Sequence, residues 1–268
     1  MRSNGVLWAL AIALTLASAV YQRMTGPTYP VRGHVVLGGA EVRYRMARSH
    51  ETVSDQAVQL RVPDAAVTGE LHWRRYPSSE PFRAEPLVRQ GEVLEGTLPK
   101  QPPGGKLAYQ VRLSRPPELV VLPPQPAVTR FKDPVSTYVL IPHVLAMFLG
   151  MLWSTRAGLA AVTGGHTRGL AWTTLALLVA GGFVLGPWMQ HQAFGEWWTG
   201  VPWGYDLTDN KTLIAVGVWA VAVWRVRAHR PARLAVAVAA LVTLVIFAIP
   251  HSVWGTEIKW DEVRTATL

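Results

Sequence analysis

The sequence predicts a membrane α-helical bundle of five transmembrane helices with an inserted all-β domain. Three observations predict it. Five apolar runs approach the roughly 20 residues that cross a bilayer core,. The stretch between the first and second runs has instead the short alternating segments and turn residues of strands,. The loops between runs also alternate in charge, Arg-rich on one side and acidic on the other,. Half of the 268 residues are hydrophobic. The mean hydropathy of +0.18 is nevertheless too low for a chain that is membrane throughout, so a soluble part is expected.

Residues 1–25 form the first element. A run over 5–21 follows Arg2 and contains no charge. It reads as an uncleaved anchor, although Ala17-Ser18-Ala19 resembles a signal-peptidase site,. Residues 29–131 then read as an extracytoplasmic β domain. Leu107, Tyr109, Val111 and Leu113 alternate inward, as do Val67, Leu71 and Trp73,. Turn signals recur at Gly38-Gly39, Pro63-Asp64, Pro77-Ser78, Pro102-Pro103-Gly104-Gly105 and Pro116-Pro117,. Short strands at this spacing suit an immunoglobulin- or fibronectin-like sandwich. His34, His50 and His72 fall in different segments of it and form no constellation. The domain is therefore expected to dock a protein partner or act as a spacer.

Pro123-Pro124-Gln125-Pro126 is expected to stiffen the exit from this domain into a four-helix membrane part, residues 135–268. Its helices are placed near 136–154, 169–188, 207–226 and 232–250. Arg156, His166 and Arg168 lie between the first two, and Arg225, Arg227, Arg230 and Arg233 between the last two. The loop 190–211 carries Glu196, Asp206 and Asp209 instead. The positive-inside rule makes the Arg loops cytoplasmic and leaves the β domain, the 190–211 loop and the C-terminus outside a bacterial inner membrane. The same rule accounts for the net charge of +9, so nucleic acid is not expected as a partner; the lipid bilayer is. The absence of cysteine excludes disulfides, thiolate metal sites and CxxC redox chemistry,.

Candidate chemistry gathers at the outer face. His143, His191 and His251 all fall near outer helix ends, beside the run Trp197-Trp198-Thr199-Gly200-Val201-Pro202-Trp203-Gly204-Tyr205-Asp206. Ionisable residues near a bilayer are costly and tend to be functional. The indoles read either as an interfacial aromatic belt or as a compact platform for a flat ligand. Asp206 and Asp209 open the next helix, where capping is the plainer role for both,.

These residues resemble the haem-handling membrane proteins of cytochrome c assembly, the family with a tryptophan-rich "WWD" loop. Trp203-Gly204-Tyr205-Asp206 is similar to its Trp-x-Trp-Asp element, with Tyr205 replacing one Trp. His143 and His251 stand where that family has its flanking outward histidines. The resemblance spans roughly 136–260. It implies haem b held between His143 and His251 and sheltered by Trp198, Trp203 and Tyr205, with Lys211 or Lys259 meeting a propionate. It departs from the family in lacking the Pro-Lys-Glu-Thr extension and in inserting a β domain. The run Phe194-Gly195, Trp198-Thr199-Gly200 and Asp206 to Thr212 also resembles bacterial inner-membrane proteins that bring no function with them. Two alternatives stand beside haem handling. One is a metal enzyme using His143, His191 and His251 on zinc, with Asp206 or Glu257 as base,. The other is a non-catalytic envelope subunit with no cofactor.

Overall fold

A computed structural model describes residues 4–228, 232–250, 258 and 260–261. It divides into two compact units: one of helices, from residues 1–27 and 135–256, and one of strands, from 28–134 together with Trp260 and Asp261. The assignment of Trp260 and Asp261 departs from the expected 135–268 helical part. Trp260 lies under the Arg75 guanidinium at 4.8 Å, and Asp261 accepts from the Ser79 N–H at 3.1 Å.

Among the described residues the strand unit has ten strands: β1 (Val31–Leu37), β2 (Ala40–Met46), β3 (Ser49–Glu51), β4 (Gln56–Arg61), β5 (Thr68–Tyr76), β6 (Arg83–Pro86), β7 (Val88–Gln90), β8 (Val93–Leu98), β9 (Lys106–Arg115) and β10 (Glu118–Lys132). They form sheets ordered β1-β2, β3-β10-β9-β5-β6 and β4-β8-β7. All pairings are antiparallel except β3 with β10. Gly38 and Gly39, at φ 59° and 78°, make the two-residue hairpin turn that pairs Leu37 with Ala40,. The alternating residues Leu107, Tyr109, Val111 and Leu113 are all buried, in one core with Leu71, Leu122 and Phe131 of their own sheet, Leu60, Leu94 and Leu98 of the three-stranded sheet, and Leu37 and Met46 of the two-stranded one. Burial of each such side chain contributes roughly 1.5–3 kcal/mol.

The Pro123–Pro126 segment is not an exit linker. It lies inside β10, where the register against β9 shifts between Leu122 and Ala127. Prolines cannot donate to the ladder, so the strand bulges over them and resumes.

Among the described residues the helical unit has five helices: α1 (Asn4–Thr25), α2 (Thr137–Thr163), α3 (Arg168–Phe194), α4 (Leu207–Arg227) and α5 (Arg233–Ala248). Three of them, α1, α2 and α3, are long and apolar enough to cross a membrane. α5 is apolar but shorter, and α4 carries Asp209, Lys211, Arg225 and Arg227 within its span.

α2 runs nine residues past its expected end at 154, because Arg156 is not a loop residue. Arg156 is only 7% exposed, with Nη2 donating to Asn4 Oδ1 of α1 and the guanidinium 5.5 Å from the Trp8 ring. Beyond it, Ala157, Gly158 and Ala161 bring α2 against α5; a Cβ on Gly158 would stand 2.6 Å from Ala240 Cβ. Small residues at such contacts let helix backbones approach closely.

α3 contains a π-helical turn over Val179–Leu185, just before Pro187. Pro187 has no N–H to donate and its ring crowds the preceding turn, which the wider turn relieves. Between α4 and α5, the fully buried Trp219 donates from Nε1 to Thr243 Oγ1 at 2.9 Å, and Thr243 donates in turn to Ala239 O.

Several helix ends are closed by side chains from other helices. Gln192 of α3 accepts from the Ser136 N–H at the start of α2. Arg233 of α5 donates to Gly164 O at its end. At the end of α5, Gln22 of α1 donates to Phe247 O, and Lys211 of α4 donates to Ile249 O at 2.7 Å.

Candidate functional site

The Trp-rich segment is a tight loop between α3 and α4, closed by backbone hydrogen bonds. Trp203 and Gly204 N–H groups donate to Gly200 O, and the Asp206 N–H donates to Thr199 O. A Cβ at Gly204 would collide with Thr199 O, so only glycine permits this closure,. Gly195, at φ 81°, ends α3 with its N–H on His191 O,.

Asp209 is the loop's organiser. It is 6% exposed, and its Oδ2 accepts from the Thr199 N–H at 2.6 Å and the Gly200 N–H at 3.1 Å. The same oxygen accepts from Thr199 Oγ1 at 3.2 Å and Gln190 Nε2 at 3.3 Å. A carboxylate on adjacent backbone N–H groups makes the stronger, charge-assisted kind of hydrogen bond. Asn210 Oδ1 accepts from the Val201 N–H at 2.8 Å. Asp206 caps α4 through the Thr208 N–H at 2.7 Å,.

Lys211 is buried, and its ammonium sits on the carbonyls ending α5. The run from Asp206 to Lys211 thus serves the scaffold. Asp206 holds α4, Asp209 and Asn210 hold the loop, and Lys211 holds α5. The carbonyls that accept from the Lys211 ammonium offset the cost of its desolvation,.

The aromatic residues take different environments. Trp198 stacks on Phe183 at 5.4 Å and 10° and donates from Nε1 to Val201 O. Trp197 stacks on the His191 ring at 4.2 Å and 8°. Trp203 and Tyr205, by contrast, are 80% and 90% exposed. They project from the loop.

His143 lies in α2, half-buried, with Nδ1 at 2.9 Å from Gly181 O in the π-helical turn. His191 lies in α3, exposed, with Nδ1 at 2.9 Å from Gly195 O. A carbonyl oxygen only accepts, so both Nδ1 atoms carry the proton. In the neutral ring Nε2 then keeps its lone pair, the state a metal-ligating imidazole needs. The two rings sit at different levels along α3. Gly186 lies against His143, and His191 is five residues further along α3, about 7 Å of helix rise. Among the described residues no group of three His, Asp or Glu side chains could hold a metal ion. His251, Glu257 and Lys259 lie outside the described residues.

A cavity of about 210 Å³, part of it open to the surroundings, lies between α2, α4 and α5, lined by Met147, Thr208, Lys211, Thr212, Ile246 and Phe247. In the strand unit the three histidines stay apart. His72 bonds Glu70 and His50 bonds Ser54, while His34 is exposed.

The residues that reasoning from sequence missed are Gln190 of α3, Thr199 of the loop and Asn210 of α4, which hold the loop, and Asn4 as the partner of Arg156. One signal pointed to the first three. A carboxylate in the first turn of an apolar helix needs donors, and the glycine-rich loop beside it supplies backbone N–H groups. No protein-family model matches the chain, and no curated protein matches it closely enough to serve as a relative. The likeness to tryptophan-loop haem proteins therefore rests on the residues quoted above.

Proposed function

We propose that this chain is an integral protein of a bacterial inner membrane that docks a partner protein at its outer face and performs no chemistry of its own. In this reading α4 and α5 join α1, α2 and α3 as five membrane spans, and the strand unit is an extracytoplasmic immunoglobulin-like sandwich. The Arg-rich loops face the cytoplasm, and the α3–α4 loop lies at the outer face.

One observation carries the proposal. Asp206, Asp209, Asn210 and Lys211 all act within the scaffold, while Trp203 and Tyr205 stand 80% and 90% exposed on a loop those residues fix. A fixed loop presenting two bare aromatic side chains suits recognition, since aromatic residues are the usual anchors of protein interfaces. A photo-crosslinking residue at position 203 or 205 in membranes is expected to give one discrete heavier adduct. The same residue at position 217, in the middle of α4, is expected to give none. Only lipid adducts at 203 and 205 would overturn the proposal.

A second reading is haem b bound at the outer face with His143 as one ligand. The observation favouring it is the His143 ring, whose Nδ1–H is fixed on Gly181 O and whose Nε2 is left with its lone pair. The exposure of Trp203 and Tyr205 and the engagement of Lys211 weigh against it. An absorption spectrum of detergent-purified protein separates the two. A Soret band lost in a His143→Ala variant selects haem; a colourless protein from haem-replete cells removes it.

A further inference from the structure

Arg156 is a cation with no counter-ion in its own unit. Its guanidinium is more than nine-tenths buried where α2 meets α1. Nη2 reaches Asn4, but Nε and Nη1 have no hydrogen-bond partner. A buried charge with unsatisfied donors is costly, and more so beside hydrocarbon.

No carboxylate of the helical unit can supply the missing charge. Within residues 1–27 and 135–256 the sequence has only Glu196, Asp206 and Asp209. All three belong to the α3–α4 loop or its flank, at the opposite end of α3 from Arg168. The described charged residues nearest that end of α2, Arg168 and Arg233, are cations as well. The missing anion must come from outside the unit.

Depth indicates which anion. α2 has 27 residues, about 40 Å of helix, which exceeds a hydrocarbon core of about 30 Å. Arg156 lies seven residues before Thr163, about 10 Å from that helix end,. It therefore sits near the boundary between acyl chains and headgroups. Trp8 and Trp153, edge to face at 5.2 Å, mark the same level, as indoles do at membrane interfaces,. Two side chains from α1, Asn4 and Trp8, lie against the guanidinium. Asn4 is exposed and Trp8 half-buried, so a rotamer change in either opens Nε and Nη1 to a ligand.

We propose that Arg156 binds the phosphate of an anionic phospholipid at the α1–α2 junction, its fork of unpaired N–H groups meeting the phosphate oxygens. This rests on the membrane reading above, which alkaline extraction of membranes tests separately. A protein that resists extraction but fails the following test loses only the lipid site.

The experiment is thermal unfolding of the full-length protein in detergent, titrated with dioctanoyl phosphatidylglycerol, dioctanoyl phosphatidylcholine or inorganic phosphate at equal ionic strength. The phosphatidylglycerol arm is expected to raise the midpoint saturably by several degrees, and the other two arms are not. Arg156→Met should abolish the rise and Arg156→Lys should retain part of it. Equal shifts with both lipids, or none, would overturn the proposal whether or not the methionine variant folds. A matching shift with inorganic phosphate would replace it by a soluble-anion site. A stoichiometric acidic protein partner on Arg156 would also overturn it.

Discussion

Replacing Asp209 by alanine removes the one acceptor shared by the Thr199 N–H, the Gly200 N–H and the Thr199 hydroxyl, while Gln190 keeps its bond to Thr199 Oγ1. Each buried donor left without a partner costs about 1–3 kcal/mol, and water entering the opened loop recovers part of it. A net loss of about 1 kcal/mol for each of these three gives about 3 kcal/mol against the closed loop. At about 1.4 kcal/mol per tenfold, the open population rises about 100-fold. Trp203 and Tyr205 are aromatic cleavage points within the loop, so chymotrypsin reports that population directly when opening is faster than cleavage. The initial rate of loop cleavage in the alanine variant should therefore be about 100-fold that of the parent. Asp206→Ala removes only a helix cap of about 1 kcal/mol and should raise the rate about fivefold. An unchanged rate in Asp209→Ala would refute the assignment of Asp209 as the loop's organiser.

Two further outcomes are expected. Gly158→Ala forces a methyl to within 2.6 Å of Ala240 Cβ and should destabilise the helical unit by about 1–3 kcal/mol; Gly217→Ala meets nothing within 4 Å and should leave the melting midpoint unchanged or raise it,. In the strand unit, the Ala66 N–H, and after it Arg115, holds the Asp64 carboxyl below its ordinary range. Its stabilisation is therefore full above the usual carboxylate pKa near 3.9 and is lost as pH falls through the lower folded value. Asp64→Asn should flatten the acid-side fall of the strand unit's midpoint in a series of melts at decreasing pH.

The sequence carried the elements further than the site. Alternation at Leu107, Tyr109, Val111 and Leu113 identified a core strand because period two maps directly onto one face of a sheet,. The two-glycine turn before Ala40 was legible for the same local reason. Arg156 was misplaced because a charge in an apolar run reads as a helix end, and the Asn4 and Trp8 that receive it lie some 150 residues away. The prolines at 123, 124 and 126 read as a linker because nothing local shows that strand pairing resumes at Ala127. Asp206 as a cap was legible, since capping depends on neighbours two residues on. The inward turn of Asp209 and the engagement of Lys211 were not, because both depend on how distant helix ends meet.

The borrowed closures of the helix ends constrain how this unit can be built. Peptide groups left bare in hydrocarbon cost several kcal/mol each. α2 leaves the synthesis machinery long before Arg233, which finishes it, and α5 ends on partners already laid down in α1 and α4. The helix α5 therefore both finishes α2 and is itself finished by α1 and α4, and a chain stopped short of residue 233 would leave α2 without the side chain that closes it. Surveillance proteases would meet such truncated products as substrates, whereas the finished bundle offers them no loose end at these sites.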